Sequence, residues 1–176
     1  MTASNFAASL AAVLKDEGGN DDNPADHGGR TSRGITQREY DAWRAEQHLP
    51  PLDVWQAPQT DINLIYRTEY WNPSCDAFPT GLDYLYFDMA VNAGPYRAAV
   101  LLQRALGIND DGRIGPVTRA AVLAANPAAL IASYSSEKRE FYLSLHQPKF
   151  TKGWLNRVAH VHAIAEAMIN PTTGAA

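Results

Sequence analysis

Glu17 occupies a place where a glutamate does little for stability and can do chemistry. In "NFAASLAAVLKDE" the residues Phe6, Leu10, Val13 and Leu14 keep a helical period, and Glu17 follows Leu14 by three and Leu10 by seven. It therefore falls on the apolar face, in the last turn, where the helix dipole is unfavourable to an anion. A carboxyl so placed is partly desolvated and holds its proton, as a general acid must. Glycosidic bond cleavage asks for such an acid together with a second carboxylate that stays ionised. Asp16, Asp21, Asp22 and Asp26 are the choices for that second group. Asp16 adjoins Glu17 on the helix and points about a quarter-turn away. Asp26 is favoured by Gly28 and Gly29, where backbone without Cβ lets a polymer pass close by. Thr31 and Thr36 offer hydroxyls that can position a water. If Asp26 works through a water, its carboxyl should lie roughly 6.5 to 9.5 Å from that of Glu17, and roughly 5 Å would signal a covalent, retaining route.

The elements that must position these groups are mostly helical. The first helix runs from an N-cap at Ser4 to Glu17, stopped by Gly18 and Gly19. The turn-forming stretch "NDDNPADHGGRTSRGI" predicts a short β-hairpin leading into "TQRE", a capping box of Thr36 and Glu39. Further helices are predicted over 37–47, 61–71, 82–93, 96–106, 116–125, 127–146 and 152–169. In the helix over 127–146, Leu130, Tyr134, Lys138, Phe141 and Leu145 keep the period, and Asn126-Pro127 supplies the N-cap and a proline at N1. In the helix over 82–93 the core stripe is Leu82, Leu85, Tyr86 and Met89. Asn92 follows Met89 by three, so an amide reaches the buried face before Gly94-Pro95. Either it caps its own helix end, or it bonds a sugar N-acetyl group or a water opposite Glu17.

At 176 residues the chain has the length of one domain, and its 45% apolar content builds a sizeable core. Net charge is −4, unevenly divided: six Lys/Arg against twelve Asp/Glu in 1–80, nine against seven in 81–176. Neither part has the dense basic patch of a nucleic-acid binder. Cys75 is the single cysteine, which excludes an internal disulfide and reads as a buried thiol. No metal or other cofactor is expected: "NDDN" and Asp110-Asp111 lack the spacing of a calcium loop, and His27, His48, His146, His160 and His162 do not make a zinc set. No window approaches eighteen uninterrupted apolar residues.

The same residues carry a resemblance. Glu17-Gly18-Gly19, then Asp26-His27-Gly28-Gly29-Arg30-Thr31, then Gly34-Ile35-Thr36 resembles the opening signature of glycoside hydrolase family 108, phage endolysins and related bacterial muramidases. "YWNPS", "FDMAVNAG", "LLQRALGINDDGRIGPVT" and "FTKGWLNRV" are similar to the predicted peptidoglycan region that follows in this family. The resemblance implies a lysozyme-like, two-lobed helical fold spanning 1–176, with a catalytic lobe over 1–80 and a helical lobe over 81–170. It implies that Glu17 is catalytic and that the substrate is the glycan strand of peptidoglycan, cut between N-acetylmuramic acid and N-acetylglucosamine. Glu17 and Asp26 also keep the Glu-x8-Asp spacing of the phage lysozymes; Thr31 comes one residue early for their threonine, and Ser32 stands at the matching offset. "NDDGRIGPVT" resembles a loop of peptidoglycan-binding modules and reads equally as a turn, a glycine and a helix start at Pro116.

The expected actor is a monomeric endolysin that causes cell lysis. The first seventeen residues lack a basic n-region, so they read as a helix and not as a signal peptide, and the enzyme should reach the wall from the host cytoplasm through another factor. Two rivals stand beside this reading. A lytic transglycosylase uses one glutamate and leaves 1,6-anhydro ends. A non-catalytic wall-binding or secretion-assisting module keeps the fold and cuts nothing.

Overall fold

The structure is a computed structural model that describes residues 5–17, 20–21 and 30–170; the side chains at 16, 17, 20, 21, 72 and 73 are outside that description. It has the mostly helical, lysozyme-like class expected, with a small antiparallel sheet directly after the first helix. Contacts divide it into two compact units: Phe6–Glu69, and Tyr70 onward with Asn5.

In the first unit α1 (Phe6–Glu17) buries Ser9, Leu10 and Val13 along one stripe. β1 (Asn20–Asp21), β2 (Thr31–Ser32) and β3 (Ile35–Thr36) follow in the order β1-β2-β3, all antiparallel. The β1–β2 pair is the hairpin anticipated from the sequence; β3 is an addition to it. Arg33 and Gly34 join β2 to β3 with φ of 50° and 79°, the left-handed pair that a tight type I′ hairpin turn requires. α2 (Gln37–Glu46) opens on Thr36, whose hydroxyl accepts from Glu39 N while Glu39 reaches back to the Thr36 backbone, the capping box that the sequence predicts. A single 3-10 turn (Val54–Gln56) and α3 (Gln59–Ile65) complete the unit, and the chain runs on through a π-helical turn (Tyr66–Trp71) into α4 (Asn72–Cys75). Tyr40 Oη donates to Asp61 (2.6 Å), and Arg44 bonds both Asp61 (3.1 Å) and Tyr40 Oη (2.9 Å), a buried network tying α2 to α3.

The second unit is built on α5 (Leu82–Ala93), α6 (Pro95–Ala105), α7 (Pro116–Ala124), α8 (Pro127–Ser144) and α9 (Pro148–Ile169). The last begins four residues before the sequence expectation, because Pro148 at the first helical position fits a helix start and does not break one. α5 is buried almost all round, from Leu82 to Ala90. Its start is tight: at Gly81, φ +88°, a Cβ would stand 2.6 Å from the Ala165 carbonyl of α9.

Two acidic residues enter this core. Asp83 is 4% exposed and accepts from Gly81 N (2.9 Å) and Tyr84 N (2.7 Å), capping α5 from inside. Burial raises its carboxyl to about 6, and the backbone hydrogen bonds from Tyr84 and Gly81 only partly oppose that. Asp88 pairs with Lys138 of α8 (2.7 Å) and Arg157 of α9 (2.9 Å). Burial pushes its carboxyl up, but the two cations pull harder, and it lies below the usual carboxylate value. Lys138, on the predicted apolar stripe of α8 with Leu130 and Tyr134, is fully buried, and desolvation lowers its ammonium against the pull of Asp88. Cys75 is buried and in no disulfide.

Candidate active site

α1 continues without a break to Glu17, so position 17 falls four residues beyond buried Val13 and seven beyond buried Leu10, in the register of the stripe. The sheet begins three residues later. Asn20 lies opposite Ser32, Asp21 opposite Thr31, and Thr31 opposite Thr36. Directly opposed residues share a face and neighbours along a strand alternate. Asp21, Thr31 and Thr36 are therefore positions of one face, and Asn20, Ser32 and Ile35 of the other. Ser32 and Ile35 are buried at 0% and 1% exposure, which makes theirs the core face. Thr31 is half-buried on the opposite one. This separates two candidates that spacing leaves together: Ser32 points into the core, with its Oγ accepting from Arg33 Nε (3.3 Å), and Thr31 does not.

Thr36 also caps α2. Its hydroxyl donates to Glu39 Oε2 (2.8 Å) and accepts from Glu39 N (3.2 Å), so cap formation leaves one acceptor lone pair of the group expected to meet substrate or water. Asp26, Gly28, Gly29 and Asp22 lie outside the described residues, as do the side chains of Asp16, Glu17 and Asp21. Asn92, in the second unit, departs from its expected place. It is exposed, and its Nδ2 donates to the Asp88 carbonyl (2.7 Å) one turn earlier. The reason is that α5 is buried on nearly every face up to Ala90 and emerges only at its end, so three residues from Met89 does not mean a core position there.

A group that sequence reasoning passed over adjoins Thr31. Trp55 is 37% exposed and donates from Nε1 to the Thr31 carbonyl (3.1 Å). The Arg30 guanidinium lies 4.5 Å over its ring and pairs with Asp53 (2.5 Å). Asp53 also caps the Val54–Gln56 turn through Trp55 N (2.9 Å), and Gln37 of α2 holds the same turn by Val54 N (2.7 Å) and the Leu52 carbonyl (2.9 Å). The signal was a tryptophan two residues beyond an Asx-type cap in a proline-bounded loop. At the turn tip, Arg33 bonds Gln59 (2.8 Å) and the Ala57 carbonyl (2.7 Å), and Tyr66 Oη donates to the Arg33 carbonyl (2.8 Å). β2 and the turn to β3 are thus pinned to the 3-10 turn and to α3, which keeps Thr31 in place from its backbone outward.

Among the described residues no group of three His, Cys, Asp or Glu could hold a metal ion, and no helix is long and apolar enough to cross a membrane.

A helix that runs to an acidic position and a small sheet with Thr31 and Thr36 on the face away from the core make up the first unit's candidate site, and the second unit is a separate helical module. Residues 10–94 match the family model Glycosyl hydrolase 108, and residues 97–159 match the model Predicted Peptidoglycan domain. A solved structure, that of Brucella abortus SagA, is 33% identical with a TM-score of 0.79, over 93% of this chain and 95% of that one. No curated protein matches the chain. The chain belongs to glycosyl hydrolase family 108. It is a glycoside hydrolase whose partner is peptidoglycan.

Proposed function

We propose that the protein is an N-acetylmuramidase, hydrolysing the β-1,4 bond between N-acetylmuramic acid and N-acetylglucosamine. Glu17 donates the proton to the leaving oxygen, and Asp26 with Thr31 orients the attacking water or steadies the oxocarbenium-like transition state. The observation that carries this reading is the register of α1 and the sheet. Position 17 continues the buried stripe of the helix, and the strand that follows presents Thr31, not Ser32, on the face away from the core. Asp21, opposite Thr31 on that face, is the next choice for the second carboxylate should Asp26 serve only the loop. Gly28 and Gly29 would let the glycan pass close to the backbone. Bacteriolysis in the manner of a phage endolysin, by a monomer delivered to the wall by another factor, belongs to the same proposal.

Digestion of purified peptidoglycan followed by mass spectrometry of the products tests it. Hydrolysis leaves hydrated, reducing N-acetylmuramic acid ends. Reducing N-acetylglucosamine ends would assign the other glycosidic bond, 1,6-anhydro ends would assign a transglycosylase, and intact strands would leave a binding module.

A further inference from the structure

The second unit holds a pocket of about 340 Å³ between the end of α6 and the start of α7. Its back is rigid. Gln103, 2% exposed, ties the loop to α7: Nε2 donates to Asp111 (2.8 Å), the Arg113 carbonyl (3.0 Å) and Thr118 Oγ1 of α7 (3.2 Å), and Oε1 accepts from Gly112 N (2.8 Å). The loop is closed from outside by Tyr96, whose ring lies where any Cβ at Gly112 would have to be. A preformed wall of this kind lowers the ordering cost of binding.

The mouth of the pocket differs in character from its back. Ile108, Pro116 and Val117 give it an apolar side, and Val117 is left 72% exposed at the first turn of a helix. Asn109, Asp111 and Arg113 give it a polar side, with Asp111 Oδ1 already accepting from Gln103 Nε2 (2.8 Å) and Arg113 N (2.9 Å). The Arg113 guanidinium makes no hydrogen bond or close ion pair among the described residues and acts on Asp111 only through its charge, while Arg104 on the same stretch is paired with Asp110 (2.7 Å). An open guanidinium prefers a carboxylate, an amide matches a peptide bond, and the apolar side suits small methyl groups. Among the described residues no aromatic ring lines the pocket, so they offer no stacking surface of the kind a sugar ring favours.

We propose that this pocket takes the peptide stem of peptidoglycan, with Arg113 on a stem carboxylate, Asn109 on a stem amide, and Ile108, Pro116 and Val117 against alanyl methyls. The proposal rests on peptidoglycan as the partner and deepens the role of the module over residues 97–159. It assigns the stem to this module and leaves the glycan to the catalytic unit.

The test is co-sedimentation of the full-length Glu17→Gln chain with intact sacculi, and with sacculi whose stems an amidase has removed, with a free stem tetrapeptide as competitor. Arg113→Ala and Val117→Asp, both made in that background, should weaken binding to intact sacculi by about tenfold or more, the scale of one charge-assisted contact. Both should melt with their parent, because each side chain is exposed. The tetrapeptide should compete for the parent and not for Arg113→Ala. Equal binding of Arg113→Ala and its parent to intact sacculi would overturn the proposal, as would undiminished binding of the parent to stripped glycan. Product analysis on the wild-type enzyme reads the muramidase claim separately, so either claim can fail alone.

Discussion

At the scale of single residues, the sheet register separates groups that sequence spacing could not. Thr31 and Ser32 are adjacent, and both lie near the offset at which a catalytic threonine is found in the resembling pattern; only strand alternation decides between them, and alternation needs the strand to be seen. Thr31→Ala should lower the rate of peptidoglycan hydrolysis by about tenfold, the worth of one hydrogen bond to a positioned water, with little change in melting temperature. Ser32→Ala should do the reverse, since its hydroxyl faces the core and bonds Arg33. A pair of variants with equal kinetic effects would undo the assignment of faces. Glu17 stands out in the sequence because a glutamate on an apolar stripe at a helix end contradicts both packing and dipole, and the structure carries α1 through to position 17 in that register. Trp55 was not legible. Its partners, Arg30 and the Thr31 carbonyl, are more than twenty residues away in sequence, and no local pattern announces them.

At the scale of elements, what was legible was whatever local chemistry dictates. The capping box at Thr36 and Glu39, the Asn126-Pro127 start of α8 and the span of α5 follow from a few neighbouring residues each, and they appear as read. What escaped was set by tertiary context: the third strand, two residues long, and the π-helical turn before α4. Thr36→Ala should cost roughly 1 kcal/mol by removing the cap of α2, measured as a shift in denaturant midpoint. A larger kinetic than thermodynamic effect would assign Thr36 a substrate contact beside its cap. The start of α5 supplies a pH dependence. Asp83 has its carboxyl raised by burial from 3.8 to about 6, so the folded state binds its proton more tightly than the unfolded chain does. Its contribution is therefore fully present below 3.8 and is lost as pH rises through about 6. Asp83→Asn keeps an acceptor for Gly81 N and Tyr84 N and cannot ionise. Relative to its parent it should gain stability between pH 4 and pH 6, by on the order of 3 kcal/mol at most. A constant difference across that range would show that Asp83 is not held near-neutral by its burial.

At the scale of the whole molecule, the resemblance covered both units because their motifs span nearly the full chain, while the interactions that hold the second unit together had to be seen. Asp88 lies in "FDMAVNAG" as one acid in an apolar helix, with nothing nearby in sequence to pair it. Its partners are fifty and sixty-nine residues away. The triad joins α5, α8 and α9 through one buried carboxylate, and its removal should be costly out of proportion to its size. Lys138→Met should destabilise the protein by about 3 to 5 kcal/mol, because Asp88 would be left buried with one partner fewer. Activity measured well below the melting temperature should change little, since the triad belongs to the helical unit.

The central claim is that Glu17 delivers the proton, and Glu17→Gln tests it most directly, because it preserves shape and removes the acid. On purified peptidoglycan, with release of reducing N-acetylmuramic acid ends as the readout, the rate should fall by at least about a hundredfold, within the range that general acid catalysis contributes. The melting temperature should hold or rise, because a carboxyl at the end of α1 does not favour folding there. A variant that folds as its parent does and still releases those ends at the wild-type rate would contradict the account.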